Sequence, residues 1–299
     1  MRAQAEQSKN ILLPKTGASG VATTVAMWNL FKRAHPSAPG AGDFHTVFAD
    51  GADFAAHQAR QAEAYRTADP FPHIVIDGLF DPRALRDVAA EVPSPLTQRD
   101  LFNLEVKHLQ ENKFAWRDVA RMGPKSLRLI HYLSAKPFVE YLSAVTGIPG
   151  LVPDPYLWGA GFHQILRGGR LAVHADFNTH PQMGLYRRLN VLVYLNEDWD
   201  TAWGGDLELW TVDMDRCAQK VAPLFNRMVV FSTTDTSYHG HPDPLDCPPD
   251  VVRRSLALYY YTQERLRDDV HATLWQARPQ DEGDLAQAVE QARMDRERR

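Results

Sequence analysis

The chain has 299 residues and a net charge of -4, with 44% hydrophobic and 23% charged residues, an ordinary balance for a globular protein with a real core. That charge gives no basic field for nucleic acid or an anionic membrane, and the longest apolar runs, such as Val191–Leu195, are far too short to span a bilayer. Residues 1–17 lack a signal-peptide core, and Cys217 and Cys247 make neither a metal spacing nor a disulfide framework. A cytoplasmic setting is therefore expected, with a single bridge between the two cysteines left open.

Residues 1–44 read as an adaptable extension, with Gly-, Ala- and Pro-rich stretches on either side of a short apolar piece, Val25–Phe31. Ala52–Tyr65 reads as a helix. The organised domain is expected from Phe71, with Ile74-Val75-Ile76 as a strand. Asp81 then offers an N-cap and Pro82 a first helical residue, predicting a helix over Pro82–Glu91. Ser126–Thr146 carries apolar residues at helical spacing, interrupted near Pro137 and closed by Gly147.

From Trp158 onward short β runs alternate with Gly, Pro, Asn and Asp. The expected strands are Gly161–Leu166, Leu171–Asp176, Leu189–Asn196, Asp206–Val212, Arg227–Ser232 and Arg254–Thr262, with tight connections at Gly168-Gly169 and Gly204-Gly205. Many short strands at this spacing argue a sandwich or jelly roll. The chain turns charged after Thr262, and Leu285–Arg299 reads as a helix.

With 12 histidines in the chain, a His-x-Asp triplet arises by chance, and there are two: His174-Ala175-Asp176 and His241-Pro242-Asp243. Context separates them. Residues i and i+2 of a strand share a face, so His174 and Asp176 can offer a nitrogen and an oxygen to one metal. A further histidine, His239, follows Asp176 by 63 residues. Two histidines and a carboxylate leave metal positions open, as non-heme iron oxygenases require. The second triplet lies between prolines and is expected in a loop. Spacing alone leaves His239 and His241 open as the distal ligand.

Across Phe71–Thr262 the sequence resembles the prolyl-4-hydroxylase-like branch of the iron(II)/2-oxoglutarate-dependent oxygenases. The resemblance rests on an ordered set: Gly168-Gly169, His174-Ala175-Asp176, Arg188-Leu189-Asn190, Tyr194-Leu195-Asn196 with Trp199, Gly204-Gly205-Asp206-Leu207, Phe231-Ser232, His239 and Arg253-Arg254-Ser255. It implies a mainly β fold with flanking helices, built on a double-stranded β-helix (a cupin-like jelly roll). It also implies iron(II) held by His174, Asp176 and His239, because the distal histidine of such proteins follows a Phe-Ser strand end by about the distance from Phe231 to His239. 2-Oxoglutarate is implied as cosubstrate, dioxygen as oxidant, and ascorbate as a candidate auxiliary reductant. Arg253 and Arg254 both suit a carboxylate. Since neighbouring strand residues face opposite ways, only one points inward, and an Arg-x-Ser pattern favours Arg253 with Ser255. Tyr194 stands where relatives place a hydroxyl on the same carboxylate.

The expected division is a variable extension over 1–65, an oxygenase domain over 66–262 and a helical tail over 263–299. Tyr259, Tyr260 and Tyr261 read as packing residues, Asp206 and Glu208 as strand-end polar groups, and Arg187 and Arg188 as surface ion-pairing residues or contacts to an anionic substrate. Hydroxylation of an unactivated C–H bond, on a prolyl or other amino-acid side chain, is the expected outcome, without nucleic-acid or membrane partners. A free amino acid or biosynthetic small molecule on the same site is the alternative, as is a catalytically silent jelly-roll binding module. Neither the substrate nor the oligomeric state is written in the sequence.

Overall fold

The structure, a computed structural model, describes residues 54–104, 108–264 and 270–298. Residues 1–53, including the Val25–Phe31 piece and most of the expected extension, lie outside the described residues.

The elements run α1 (Phe54–Thr67), β1 (His73–Asp77), α2 (Pro82–Glu91), β2 (Asn103–Leu104), β3 (Gln110–Trp116), α3 (Pro124–Ser134), α4 (Lys136–Thr146), β4 (Val152–Pro153), β5 (Gly161–Ala175) and β6 (Tyr186–Tyr194). Then follow β7 (Leu207–Trp210), β8 (Cys217–Val221), β9 (Arg227–Ser232), β10 (His239–His241), β11 (Arg253–Thr262), β12 (Leu274–Trp275) and α5 (Gly283–Glu297). Local signals explain the helices. The Asp81 carboxylate accepts from the backbone N–H groups of Arg83 and Ala84, capping α2. The Glu91 carboxylate, at the end of α2, accepts from Lys125 N and Ser126 N, so one helix caps the start of α3. The expected interruption falls at Ala135, between α3 and α4, and α4 ends on Gly147 with φ +71°.

The strand pairings in the sheet are antiparallel, in the order β1-β9-β6-β11-β5-β10-β7-β8, with β3, β4 and β12 attached at its margins and β2 pairing with β3. Alternation along the strands assigns two faces. Leu189, Val191 and Val193 of β6, with Val230 of β9 and Leu256 of β11, join the side chains of α2, α3 and α4 in the large core. Tyr194 of β6 and Val229 and Phe231 of β9 instead pack with Leu207 and Leu209 of β7, strands distant in the sheet order. The sheet therefore curls over on itself into a nearly closed, jelly-roll-like barrel, helices outside and a small cavity within.

Three expectations on the strands need correction. The segments Gly161–Leu166 and Leu171–Asp176 are one strand, and Gly168-Gly169 is not a tight connection. It is a bulge: Glu111 and Lys113 of β3 pair with Arg170 and Ile165, so Asn112 stands opposite the glycines. A Cβ on Gly169 would lie 2.7 Å from Leu166 O, which is why glycine sits there. Second, His241 is not in a loop but ends β10, buried and paired with Leu171. Third, β3 and β8 carry no clear alternation in sequence and were not expected. Both cysteines are free thiols. Among the described residues, no helix is long and apolar enough to cross a membrane.

Candidate metal centre and anion pocket

β5 and β10 lie side by side, and their register sets His239 directly across from His174. The imidazole ring centres are 4.5 Å apart. Asp176, two residues beyond His174, brings Oδ1 to 3.5 Å from His174 Nε2 and Oδ2 to 3.5 Å from His239 Nε2. Candidate ligand atoms of the three residues all lie within 4.8 Å of one another, and all three residues are buried. Among the described residues this is the one such group of histidine, cysteine and carboxylate side chains.

Hydrogen bonding fits these residues to a metal ion. His174 Nδ1 meets Ala172 O at 2.9 Å and His239 Nδ1 meets Ser237 O at 2.9 Å. A carbonyl only accepts, so each Nδ1 carries the proton and each Nε2 keeps its lone pair for the centre. Burial drives the His239 imidazole down to about 4, against an opposing pull from Asp176, so it is neutral at physiological pH. Burial pushes the Asp176 carboxyl up, but Arg187, His239 and His174 together outweigh it and hold it well below the usual carboxylate range. The donor set is thus two imidazoles with Nε2 turned to the centre and one carboxylate, which suits a divalent first-row metal such as iron(II).

Sequence reading did not place Arg187 in this centre. It is 3% exposed, and its Nη2 lies 2.9 Å from Asp176 Oδ2. Asn190 Nδ2 donates to the same oxygen at 2.7 Å, while Asn190 Oδ1 accepts from Arg187. The guanidinium lies between aromatic rings, 3.4 Å from the Tyr259 centroid and 4.5 Å from that of Phe177. The only available signal was positional: Arg187 and Asn190 precede and enter an apolar strand whose interior face the period-2 pattern assigns without saying what it meets.

A cavity of about 350 Å³ opens at the three residues and runs along the barrel interior, lined by Ile165, Leu192, Leu207 and Phe231 among others. Arg253, Ser255 and Ala257 line it from β11, as the alternation predicts. Arg254 is not among the lining residues. Arg253 is buried; its Nε donates to Gly205 O at 2.7 Å, and its Nη2 lies 3.4 Å from the Tyr194 hydroxyl. Tyr194 sits against the guanidinium, 5.1 Å from ring centre to Arg253 Cζ, and does not itself line the cavity. Gly205 has φ +77°, and a Cβ there would come within 2.6 Å of Leu245 Cδ2 and 3.0 Å of Arg253 Cδ, so this glycine makes room for the arginine. His163 and His241 also line the cavity, whereas His180 is fully buried outside its lining, bonded to Asp154 Oδ1 at 3.2 Å. The Asp154 carboxylate also accepts from Tyr156 N and Trp158 N, fixing the loop that reaches Gly159 at the cavity wall.

Residues 160–261, which hold the three-residue centre and Arg253, match the sequence model of the 2OG-Fe(II) oxygenase superfamily. The chain is 26% identical over 215 residues to a prolyl 3,4-dihydroxylase of Ostreococcus tauri, a match covering 66% of this chain and 39% of that protein. It thus spans about two-fifths of the length of that curated relative. Among solved structures, it is similar to a Trichoplax adhaerens prolyl hydroxylase in complex with a hypoxia-inducible factor peptide fragment (TM-score 0.48, 18% identity, 70% of this chain and 90% of the other). A Pseudomonas putida prolyl-4-hydroxylase is also similar (TM-score 0.47, 15% identity, 69% and 98% covered).

Proposed function

We propose that this chain is an iron(II)- and 2-oxoglutarate-dependent dioxygenase that hydroxylates an unactivated C–H bond of an amino-acid side chain, prolyl by class. The observation that carries the reading is the buried His174–Asp176–His239 cluster at the head of a cavity with a buried arginine, inside the superfamily-matching segment. The prolyl assignment rests on the Ostreococcus relative.

In this reading His174, Asp176 and His239 hold the iron, which when bound supplies oxygen activation coupled to decarboxylation of 2-oxoglutarate to succinate. The protein's share is positional. Carbonyls of Ala172 and Ser237 fix both imidazoles with Nε2 toward the metal. Asn190 and Arg187 occupy Asp176 Oδ2, leaving Oδ1 the more available oxygen. Arg253, anchored on Gly205 O, presents its guanidinium to the distal carboxylate of the cosubstrate, with the Ser255 hydroxyl beside it. The apolar walls from Leu192, Leu207 and Phe231 exclude water and strengthen those charged contacts.

The test loads anaerobic protein with iron(II), adds 2-oxoglutarate and oxygen, and follows succinate together with the mass of candidate prolyl peptides. Succinate formation and a peptide gaining one oxygen are expected. Succinate with no peptide product, but with an oxygenated free amino acid, would move the substrate to a small molecule. No succinate under any condition would leave a silent binding module.

A further inference from the structure

His241 has no function in the centre described above, yet it is among the most unusual side chains in the molecule. It is 4% exposed, and neither ring nitrogen has a hydrogen-bond partner. An unsatisfied buried polar group is costly, so an imidazole retained this way implies a partner that arrives with a ligand. The histidine lines the same cavity as Arg253 and Ser255, not a separate void. It sits two residues beyond His239 on β10, opposite Leu171, and so is displaced along the strand from the metal cluster.

The surroundings say what kind of ligand it awaits. Two cations, Arg253 and Lys113, line the same cavity as the ring, and Lys113 is itself buried, with Nζ 3.1 Å from Gln110 Oε1. Those two cations disfavour a second metal ion beside the ring. An anion with acceptor oxygens fits. An imidazole carries at least one N–H to give, and a carboxylate already held by a guanidinium has lone pairs to receive it.

We propose that His241 is a cosubstrate-binding residue: its ring N–H donates to the distal carboxylate of 2-oxoglutarate, on the far side of that group from Arg253. The inference rests on the cosubstrate assignment above. It makes the anion end of the cavity a three-donor cradle of Arg253, Ser255 and His241, selective for a 2-oxoacid with a second carboxylate.

The experiment measures binding, not turnover. Calorimetry of 2-oxoglutarate into the zinc-loaded full chain is run for wild type, His241→Phe and His241→Gln, with zinc affinity measured in parallel. His241→Phe is expected to weaken 2-oxoglutarate at least about tenfold with zinc affinity unchanged, and His241→Gln, which keeps an N–H donor, to recover part of the loss. Long-range proton–nitrogen NMR of the wild-type zinc protein should show the His241 ring resonances shift on adding 2-oxoglutarate. That measurement stands even if a variant fails to fold. Wild-type protein that binds no 2-oxoglutarate would remove the cosubstrate reading and this inference with it. Normal wild-type binding with an unaltered dissociation constant in His241→Phe, or with unmoved ring resonances, overturns the inference alone. So does a loss of zinc affinity in His241→Phe, because the effect would then run through the metal.

Discussion

His239 and His241 share a strand and are both buried but differ in one detail of hydrogen bonding. His239 Nδ1 is tied to Ser237 O and its Nε2 faces His174 and Asp176, whereas both nitrogens of His241 are unpartnered. Removing a ligand should cost metal affinity outright, so His239→Ala and Asp176→Ala are expected to bind no stoichiometric iron(II), while His241→Ala binds it normally. Metal analysis of anaerobically loaded protein checks this, and the reverse ranking of the two histidines would reassign the ligand. Arg187 holds an Asp176 oxygen without belonging to the ligand set. Its replacement by Lys keeps the charge but loses the fork that also reaches Asn190, and should weaken iron binding about 10- to 100-fold, read by competition with a chelator. On β11, Arg253→Ala should raise the 2-oxoglutarate Michaelis constant at least roughly thirtyfold, from about 2 kcal/mol of a charged hydrogen bond at about 1.4 kcal/mol per decade. Arg254→Ala should leave it nearly unchanged. Kinetics with the sensitivities exchanged would reverse every inward assignment on that strand.

At the scale of elements, the centre depends on a mismatch between strands. His239 pairs with His174 but His241 pairs with Leu171, so three steps on β5 oppose two on β10. Gly240 lies at this irregularity, and a Cβ there would come within 2.8 Å of Leu171 O and 2.9 Å of Ala172 O. Because those are backbone atoms, nothing can swing aside. Gly240→Ala is expected to destabilise the fold by about 1–3 kcal/mol and to weaken metal binding although it removes no ligand; denaturant melts and metal titration check both effects. The β1–β9 pair offers a contrasting, peripheral case. Arg227 Nε and Nη2 reach Asp77 Oδ1 and Oδ2 at 2.7 and 2.8 Å, and this hydrogen bonding lowers the carboxyl below its ordinary range. A depressed carboxylate stabilises the fold above its unfolded value near ~3.9 and loses that contribution as pH falls through the lower folded value. The Asp77 carboxylate is largely exposed, so Asp77→Asn should cost no more than about 1 kcal/mol at neutral pH, and less as pH falls below the usual carboxylate range.

For the molecule as a whole, the helices pack on the outer face of the sheet and do not line the cavity. Leu256 is fully buried under them, one residue from Ser255, which faces inward. Leu256→Ala should cost about 2–5 kcal/mol of stability while leaving the dissociation constants for metal and 2-oxoglutarate in the still-folded protein within about twofold. The helix α1 joins the same assembly: the Tyr65 hydroxyl meets Ser232 Oγ at 2.7 Å, at the end of β9, and the Tyr141 hydroxyl donates to Gln61 Oε1. A truncation starting near Thr67 therefore removes contacts to the barrel, and its effect on stability has to be measured before any effect on substrate is read from it.

The sequence by itself determined the periodic and the ordered features. Alternation on β6 and β11 placed Leu189, Val191 and Val193 on one face and Arg253, Ser255 and Ala257 on the other, because side-chain direction in a strand is a local property of the backbone. The caps at Asp81 and Gly147 were equally local. His174 and Asp176 could be paired from their i, i+2 spacing alone, whereas choosing His239 needed the order of the surrounding motifs. The tertiary structure decided what depends on which strand lies against which. Gly168-Gly169 reads as a turn until Asn112 is seen opposite it, and His241 reads as a loop residue until Leu171 pairs with it. Arg187 looks like a surface cation until the curl of the sheet buries it against Asp176 and Tyr259. Register, bulges and burial of charge arise from long-range pairing, and no window of neighbouring residues contains them.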